Sequence, residues 1–211
     1  MTLDVWFSLL VACLVISLTP GAGAINTMSN ALAEGWRRSF WGILGQVIAL
    51  IAHIAIVAAG VGLLVSRSPV LFTVIRYSGA AYLAYLGLRL ILAKTNAKET
   101  PNLKDMHQPT HEGAWSMIRR GFWVNMLNPK AIVFYLAFLP QFIRTDQPQL
   151  PQYVIFTATS VGVDIMVMWF VFAAAARPFT QLTRTPRGRR TLNVIFGVLF
   201  LGVAGLLLFI H

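Results

Sequence analysis

The chain has 211 residues, of which 57% are hydrophobic and only 11% charged, with a net charge of +10. A soluble domain carries about 25% charged residues and has no need of repeated uncharged runs of about 20 residues, the length that crosses the hydrocarbon of a bilayer. This balance excludes an ordinary soluble enzyme, and the clustering of cations between apolar runs argues for membrane topology rather than nucleic-acid binding.

The first uncharged run covers residues 5–33 and is interrupted by Ser17-Leu18-Thr19-Pro20-Gly21-Ala22-Gly23. Pro20 cannot donate to the carbonyl of Ile16, and its ring clashes with that carbonyl, so the helix bends or breaks there. Gly21 and Gly23 loosen it further. Ala22-Gly23-Ala24 looks like a signal-cleavage site, and Leu10-Val11-Ala12-Cys13 like a lipoprotein box. The leading residues carry Asp4 but no Lys or Arg, and the run continues past both sites, so a retained span is expected. Cys13 is the single cysteine and reads as a small apolar side chain.

The second run, 39–66, is uncharged with His53 neutral. Gln46 and His53 lie seven residues apart and share a helical face; His53 reads as a packed polar strut. The third run, 70–93, is apolar apart from Arg76 and Arg89 near its ends. Residues 94–114 are polar and lack apolar periodicity, which suits a flexible cytoplasmic linker. His107 and His111 inside it have the spacing of two metal ligands, but Pro109 intervenes and nothing completes a site. The fourth run, 121–143, holds one charge, Lys130, within Asn125-Met126-Leu127-Asn128-Pro129-Lys130. The fifth, 150–176, holds only Asp164, and the sixth, 191–210, is uncharged.

Continuous runs of this length fit helices, not the short alternating strands of a barrel. The predicted fold is all-α: a polytopic membrane protein of six transmembrane helices. The linker divides it into repeat one (1–93) and repeat two (115–211), and three spans in each half make the repeats inverted. Each half opens with a proline-broken span. Loop one carries Arg37 and Arg38. Loop three carries Arg89, Lys94, Lys98, Lys104, Arg119 and Arg120. Loop five carries Arg177, Arg184, Arg187, Arg189 and Arg190, while the other side has only Arg67, Arg76 and Arg144. The positive-inside rule then places loops one, three and five in the cytoplasm and both termini outside.

A break near mid-membrane exposes the N-terminus of the second half-helix, with free N–H groups and partial positive charge. The breaks after Pro20 and Pro129 would face one another and cradle a carboxylate. Asp164, in the middle of the fifth span, costs several kcal/mol to hold there charged, roughly 2.5–3.5 on insertion scales, and so marks a functional candidate. It suits proton coupling or a substrate ammonium; an interhelical strut is the plainer reading. Lys130 could meet a substrate carboxylate, pair with Asp164, or snorkel to the surface. Asn26, Asn125 and Asn128 could bind substrate or patch freed carbonyls. Ala55-x-x-x-Ala59 and Ala80-x-x-x-Ala84 look like close-packing ridges. There is no phosphate-binding Gly-Lys-Ser/Thr loop, no nucleophile–base pair and no metal cluster, so neither a cofactor nor an enzyme activity is expected.

These segments, with Gly23-Ala24-Ile25-Asn26-Thr27, Phe138-Leu139-Pro140-Gln141-Phe142 and Val163-Asp164-Ile165-Met166-Val167-Met168, resemble the lysine-exporter superfamily of bacterial amino-acid efflux proteins, most of all its homoserine/threonine branch. The resemblance covers nearly the whole chain and is weakest in the linker. One departure is Ala22, where many members have a second proline. The resemblance implies six helices, an inner-membrane location and proton-driven export of homoserine, its lactone or threonine. The expectation is a secondary exporter with a substrate site built from Pro20, Gly21, Asn26, Gln46, Asn125, Asn128, Pro129, Lys130 and Asp164, and with Asp164 as the proton-coupling group. Its partners are a small amino acid, protons and the lipid bilayer; a homo-oligomer stays open. A membrane enzyme or a channel are the other classes, the first needing an interfacial nucleophile or metal and the second conducting without saturation.

Overall fold

The computed structural model describes residues 1–67, 69–93, 112–144, 146–183 and 185–209. Most of the predicted linker, with His107 and His111 and the lysines at 94, 98 and 104, lies outside the described residues, as do Arg184 and His211. The described residues form helices and short connections, with no strand.

The first predicted span is two helices, α1 (Leu3–Leu18) and α2 (Ala22–Glu34), meeting at a 58° bend. Then come α3 (Phe40–Arg67) and α4 (Pro69–Leu92). The fourth span is again a bent pair, α5 (Ala114–Met126) and α6 (Pro129–Phe142), at 60°. Both bends fall at the prolines, where the missing N–H and the ring forbid a continuous helix. The fifth span is α7 (Gln149–Ile165), which widens into a π-helical segment, Met166–Ala173. The chain ends with α8 (Ala176–Thr183) and α9 (Pro186–Phe209).

Three of these are long and apolar enough to cross a membrane unaided: Phe40–Gly60, Gln149–Ala173 and Pro186–Leu208. The two bent pairs bring the number to five. α4, the third predicted span, has the length, but Arg76, Arg89 and three tyrosines dilute its apolar character. Its charge is instead satisfied by packing. Arg76 donates to the carbonyls of Leu207 and Leu208 at the end of α9, and Arg190 near the start of α9 donates to the Ile91 carbonyl at the end of α4. Each cation thus meets the negative end of the other helix. The two helices lie close enough that a Cβ on Gly87 would stand 2.7 Å from the Gly197 carbonyl.

The tightest pairing is α3 with α5. Side chains added at Gly45 or Gly121 would strike the backbone of Ile118 or Gly42 respectively, so glycines alone permit this approach. The apolar core runs through Leu9, Ile43, Leu50, Phe134, Phe138 and Phe156, all essentially inaccessible.

Candidate functional site

The two breaks lie side by side. A Cβ on Gly21 in the first would stand 3.3 Å from Lys130 Cε and 3.6 Å from Asn128 Nδ2 in the second. Next to them is a cavity of about 40 Å³, room for a little water but not for a metabolite. Its polar wall includes Ser17 of α1, Gln46 of α3, Asn125 and Asn128 at the second break, Lys130 of α6 and Asp164 of α7.

Each break leaves backbone carbonyls with no helical donor. At the first, Pro20 withholds the N–H that Ile16 would have received. Lys130 Nζ takes its place, donating to Ile16 O at 2.9 Å and to Thr19 O at 2.6 Å. The Lys130 ammonium thus caps the C-terminal end of α1. It is buried, so it does not snorkel, and among the described residues it makes no direct ion pair with Asp164. At the second break His53 Nε2 lies 3.2 Å from the Met126 carbonyl, while its ring stacks on Tyr135. The packed strut expected of His53 is therefore a capping strut.

The N-terminal ends of the two half-helices differ. Asn128 caps α6, its side-chain oxygen accepting from Lys130 N at 3.1 Å, with Pro129 in the first turn. No side chain caps α2, whose N-cap residue is Gly21. Gly23 and Ala24, in the first turn of α2, line the cavity. The symmetrical cradle expected from sequence thus has one open end and one filled end.

The amides form a chain. Gln46 Nε2 donates to Thr27 Oγ1 at 3.0 Å, Asn125 Nδ2 to the Gln46 carbonyl at 2.9 Å, and Asn128 Nδ2 to Asn125 Oδ1 at 3.5 Å. Asn125 therefore ties the break to α3 and Asn128 caps α6, while both face the cavity. Asp164 is held at one oxygen only. Ser17 Oγ donates to Oδ1 at 3.4 Å, while Oδ2 is buried and has no partner among the described residues.

Of the predicted residues, Gln46, Asn125, Asn128, Lys130 and Asp164 line the cavity. Pro20, Gly21 and Pro129 shape the breaks without lining it. Asn26 points elsewhere, toward Gly42 of α3. Ser17, Tyr135 and Gly23 line the cavity and Thr27 holds Gln46 beside it, though none was expected as a site residue. Ser17 and Thr27 do carry a signal, since a hydroxyl within a turn or two of a broken span is placed to meet the acid or amide facing it. Among the described residues no cluster of His, Cys, Asp or Glu could hold a metal.

The sequence matches the LysE type translocator family over residues 14–210. It is 38% identical over 207 residues to the homoserine/homoserine lactone efflux proteins of Salmonella typhi and Salmonella typhimurium, covering 98% of this chain and 97% of each of those. A membrane protein of Vibrio cholerae is 36% identical, with 98% of both chains covered. No solved structure matches it.

Proposed function

The chain belongs to the LysE type translocators, a family of multi-pass membrane transporters, and from that premise we propose that it exports homoserine, homoserine lactone or threonine from the cytoplasm by proton antiport. The observation that carries the mechanism is the pairing of two unmet groups across one cavity: the uncapped N-terminus of α2 and the free oxygen of Asp164. A free α-amino acid offers the complement of both, and the lactone, with its carboxyl closed into the ring, only that of Asp164. The amino acid's carboxylate rests on the N–H groups of α2, where the helix dipole favours negative charge, with Lys130 nearby. Its ammonium approaches Asp164 Oδ2. Gln46, Asn125 and Asn128 meet its remaining polar atoms, and Asn26 joins them as the cavity widens.

The cavity is too small for such a molecule, so this conformation is closed and transport requires α1–α2 or the π segment to shift. A proton reaching Asp164 from outside displaces the ammonium and releases substrate there; the empty, protonated carrier returns and gives the proton to the cytoplasm. The proposed frame is an inner-membrane bundle of six spans in two inverted repeats, both termini periplasmic. The distribution of Arg and Lys supports the orientation.

The test is efflux from cells preloaded with labelled homoserine and threonine. Expression should speed loss of label, and a protonophore should stop it. Asp164→Asn should abolish proton-driven efflux while the protein still reaches the membrane. Efflux by Asp164→Asn that still responds to the proton gradient would remove the coupling role; no effect of expression on any amino acid would remove the substrate assignment.

A further inference from the structure

α2 is a 13-residue helix bounded by two weak points in the chain. Pro20 and Gly21 precede it, and Gly35 follows with φ of 89°, a conformation glycine adopts without steric cost. One face packs against the α3–α5 pair through polar contacts. Arg120 donates to Asn30 Oδ1; the backbone N–H of Glu112 donates to Glu34 Oε1 at 3.0 Å; and Arg38 links the Glu34 carboxylate, at 3.3 Å, to the Glu112 carbonyl, at 2.6 Å. Arg120 also pairs with Glu112 at 2.7 Å. Helical spacing puts Ala31, Leu32 and Gly35 on the far side. They border a second cavity, of about 440 Å³, walled opposite by Ala173, Ala174, Ala176 and Arg177. α2 therefore has polar, exchangeable contacts on one face, and on the other it packs on the π segment, with the cavity beside its C-terminal end. α3 and α5 are interlocked backbone to backbone through glycines, whereas α2 meets them through side chains, with Trp36 beyond its end stacked on Trp169 of the π segment.

A swing of α2 would uncover a set of donors. Asn26 and Asn30 are one turn apart, both buried, and both amide nitrogens lie against Gly42. Among the described residues neither nitrogen has an acceptor. Arg120 bonded to Asn30 Oδ1 fixes which end of that amide carries the nitrogen. Buried donors left unmet bear their full desolvation penalty, so a state that supplies an acceptor is favoured. A carboxylate accepts from a guanidinium and from amides together.

We propose that Asn26, Asn30 and Arg120 form a loading site for the substrate carboxylate on the arginine-rich side of the central cavity, uncovered when α2 swings toward the cavity beside its C-terminal end. The site rests on the export reading above and deepens it. Arg120 exchanges Asn30 Oδ1 for the arriving carboxylate, and the two amide nitrogens gain an acceptor. Asn30 lies seven residues from Gly23, about 10 Å along the helix, so the substrate is then handed on to the α2 N-terminus.

The test uses inside-out membrane vesicles, which present this face to the medium, with homoserine and homoserine lactone as probes. The lactone keeps the ammonium and lacks the carboxylate. In Asn30→Ala and Arg120→Gln the half-saturating concentration of homoserine should rise about tenfold, the loss of one charge-assisted hydrogen bond, with the maximal rate within about twofold of the unmodified protein. The value for the lactone should not change. Equal shifts for both probes, or none for either, overturn the site and leave the export reading standing. Absence of flux in the unmodified protein sinks both. Should Arg120→Gln not fold, Asn30→Cys in a Cys13→Ser background gives a second readout. A membrane-impermeant maleimide applied to the same face should label it, and homoserine should protect it where the lactone does not. Equal protection, or none, again overturns the site.

Discussion

A proline in a buried helix leaves a carbonyl that something else must satisfy: Lys130 does so at the first break, while at the second the Asn125 carbonyl accepts from Asn128 N–H and His53 meets the neighbouring Met126 carbonyl. Lys130 reaches across 114 residues of sequence to Ile16 O, and His53 across 73 to Met126 O. Sequence made the orphaned carbonyl of Ile16 legible, because Pro20 fixes it, and made Lys130 conspicuous as a lone charge. It could not join the two, since nothing local to either residue says which distant backbone atoms it will meet. Lys130→Met should therefore cost more than a surface lysine. It leaves two buried carbonyls unmet and removes the cation nearest the Asp164 cavity, a destabilisation of about 3 kcal/mol. Thermal unfolding in detergent checks this, and a midpoint within a degree of the unmodified protein would show that the cap is dispensable. Gly23 makes a different point. An added Cβ would stand 2.5 Å from Gln46 Oε1. Gly23→Ala should push Gln46 off Thr27 and into the small cavity, lowering efflux at least tenfold. The unfolding midpoint should hold or rise, because Ala favours the helix by about 1 kcal/mol. Unchanged efflux would mean that Gln46 yields without narrowing the site.

Helices were legible where apolar runs were long, and their boundaries were wrong where packing outran hydropathy. α5 begins at Ala114, seven residues before its predicted run, and α9 at Pro186, five before its own. Both extensions carry arginines that hydropathy rejects but that reach other helices: Arg120 to Asn30, Arg190 to the Ile91 carbonyl. Pro186 supplies a fitting first residue, having no N–H to leave unmet. The π segment Met166–Ala173 was not legible at all, for Met-Val-Met-Trp-Phe-Val-Phe-Ala is equally apolar at every position and offers no period to read. Its consequence is visible at Trp169, which stacks on Trp36 at 4.8 Å and exchanges ring N–H to carbonyl hydrogen bonds with it. The α3–α5 seam gives the cleanest test at this scale. Gly121→Val would drive side-chain atoms into the Gly42 backbone, and no flexible neighbour can yield. It should leave no monodisperse protein in detergent. Gly60→Ala on the same α3, with nothing within 4 Å of the new Cβ, should behave as the unmodified protein or be slightly more stable. A well-behaved Gly121→Val protein would show that the two helices can part, which would also weaken the case for α2 as the moving piece.

The contacts between helices follow an exchange pattern. α3 packs on the broken pair α5–α6, α7 and its π segment pack on the broken pair α1–α2, and α4 packs on α9. If the first, second and third spans of one half are swapped for those of the other, this list maps onto itself, as two repeats of either sense require. The two halves are not equal in detail. Only the first break keeps an uncapped helix N-terminus, and only the second half has the π segment and an acid at mid-span. A carrier must bind on one side and release on the other, so in the proposed inverted arrangement a difference between the halves is where directionality can reside. The proposed inverted arrangement makes a prediction that either confirms or removes this account. With three spans in each half and cations gathered at Arg37, Arg38, Arg119, Arg120, Arg177 and Arg187, both chain ends should face the periplasm and the 94–111 segment the cytoplasm. Alkaline phosphatase, active only outside, should be active when fused at His211 and inactive when inserted after residue 100. A fluorescent protein that matures only inside should show the reverse. Activity of the phosphatase at residue 100 would invert the whole bundle. Opposite sides for the two ends would mean an odd number of spans, with α4 lying outside the membrane-crossing set, and the exchange symmetry would then lose its physical basis.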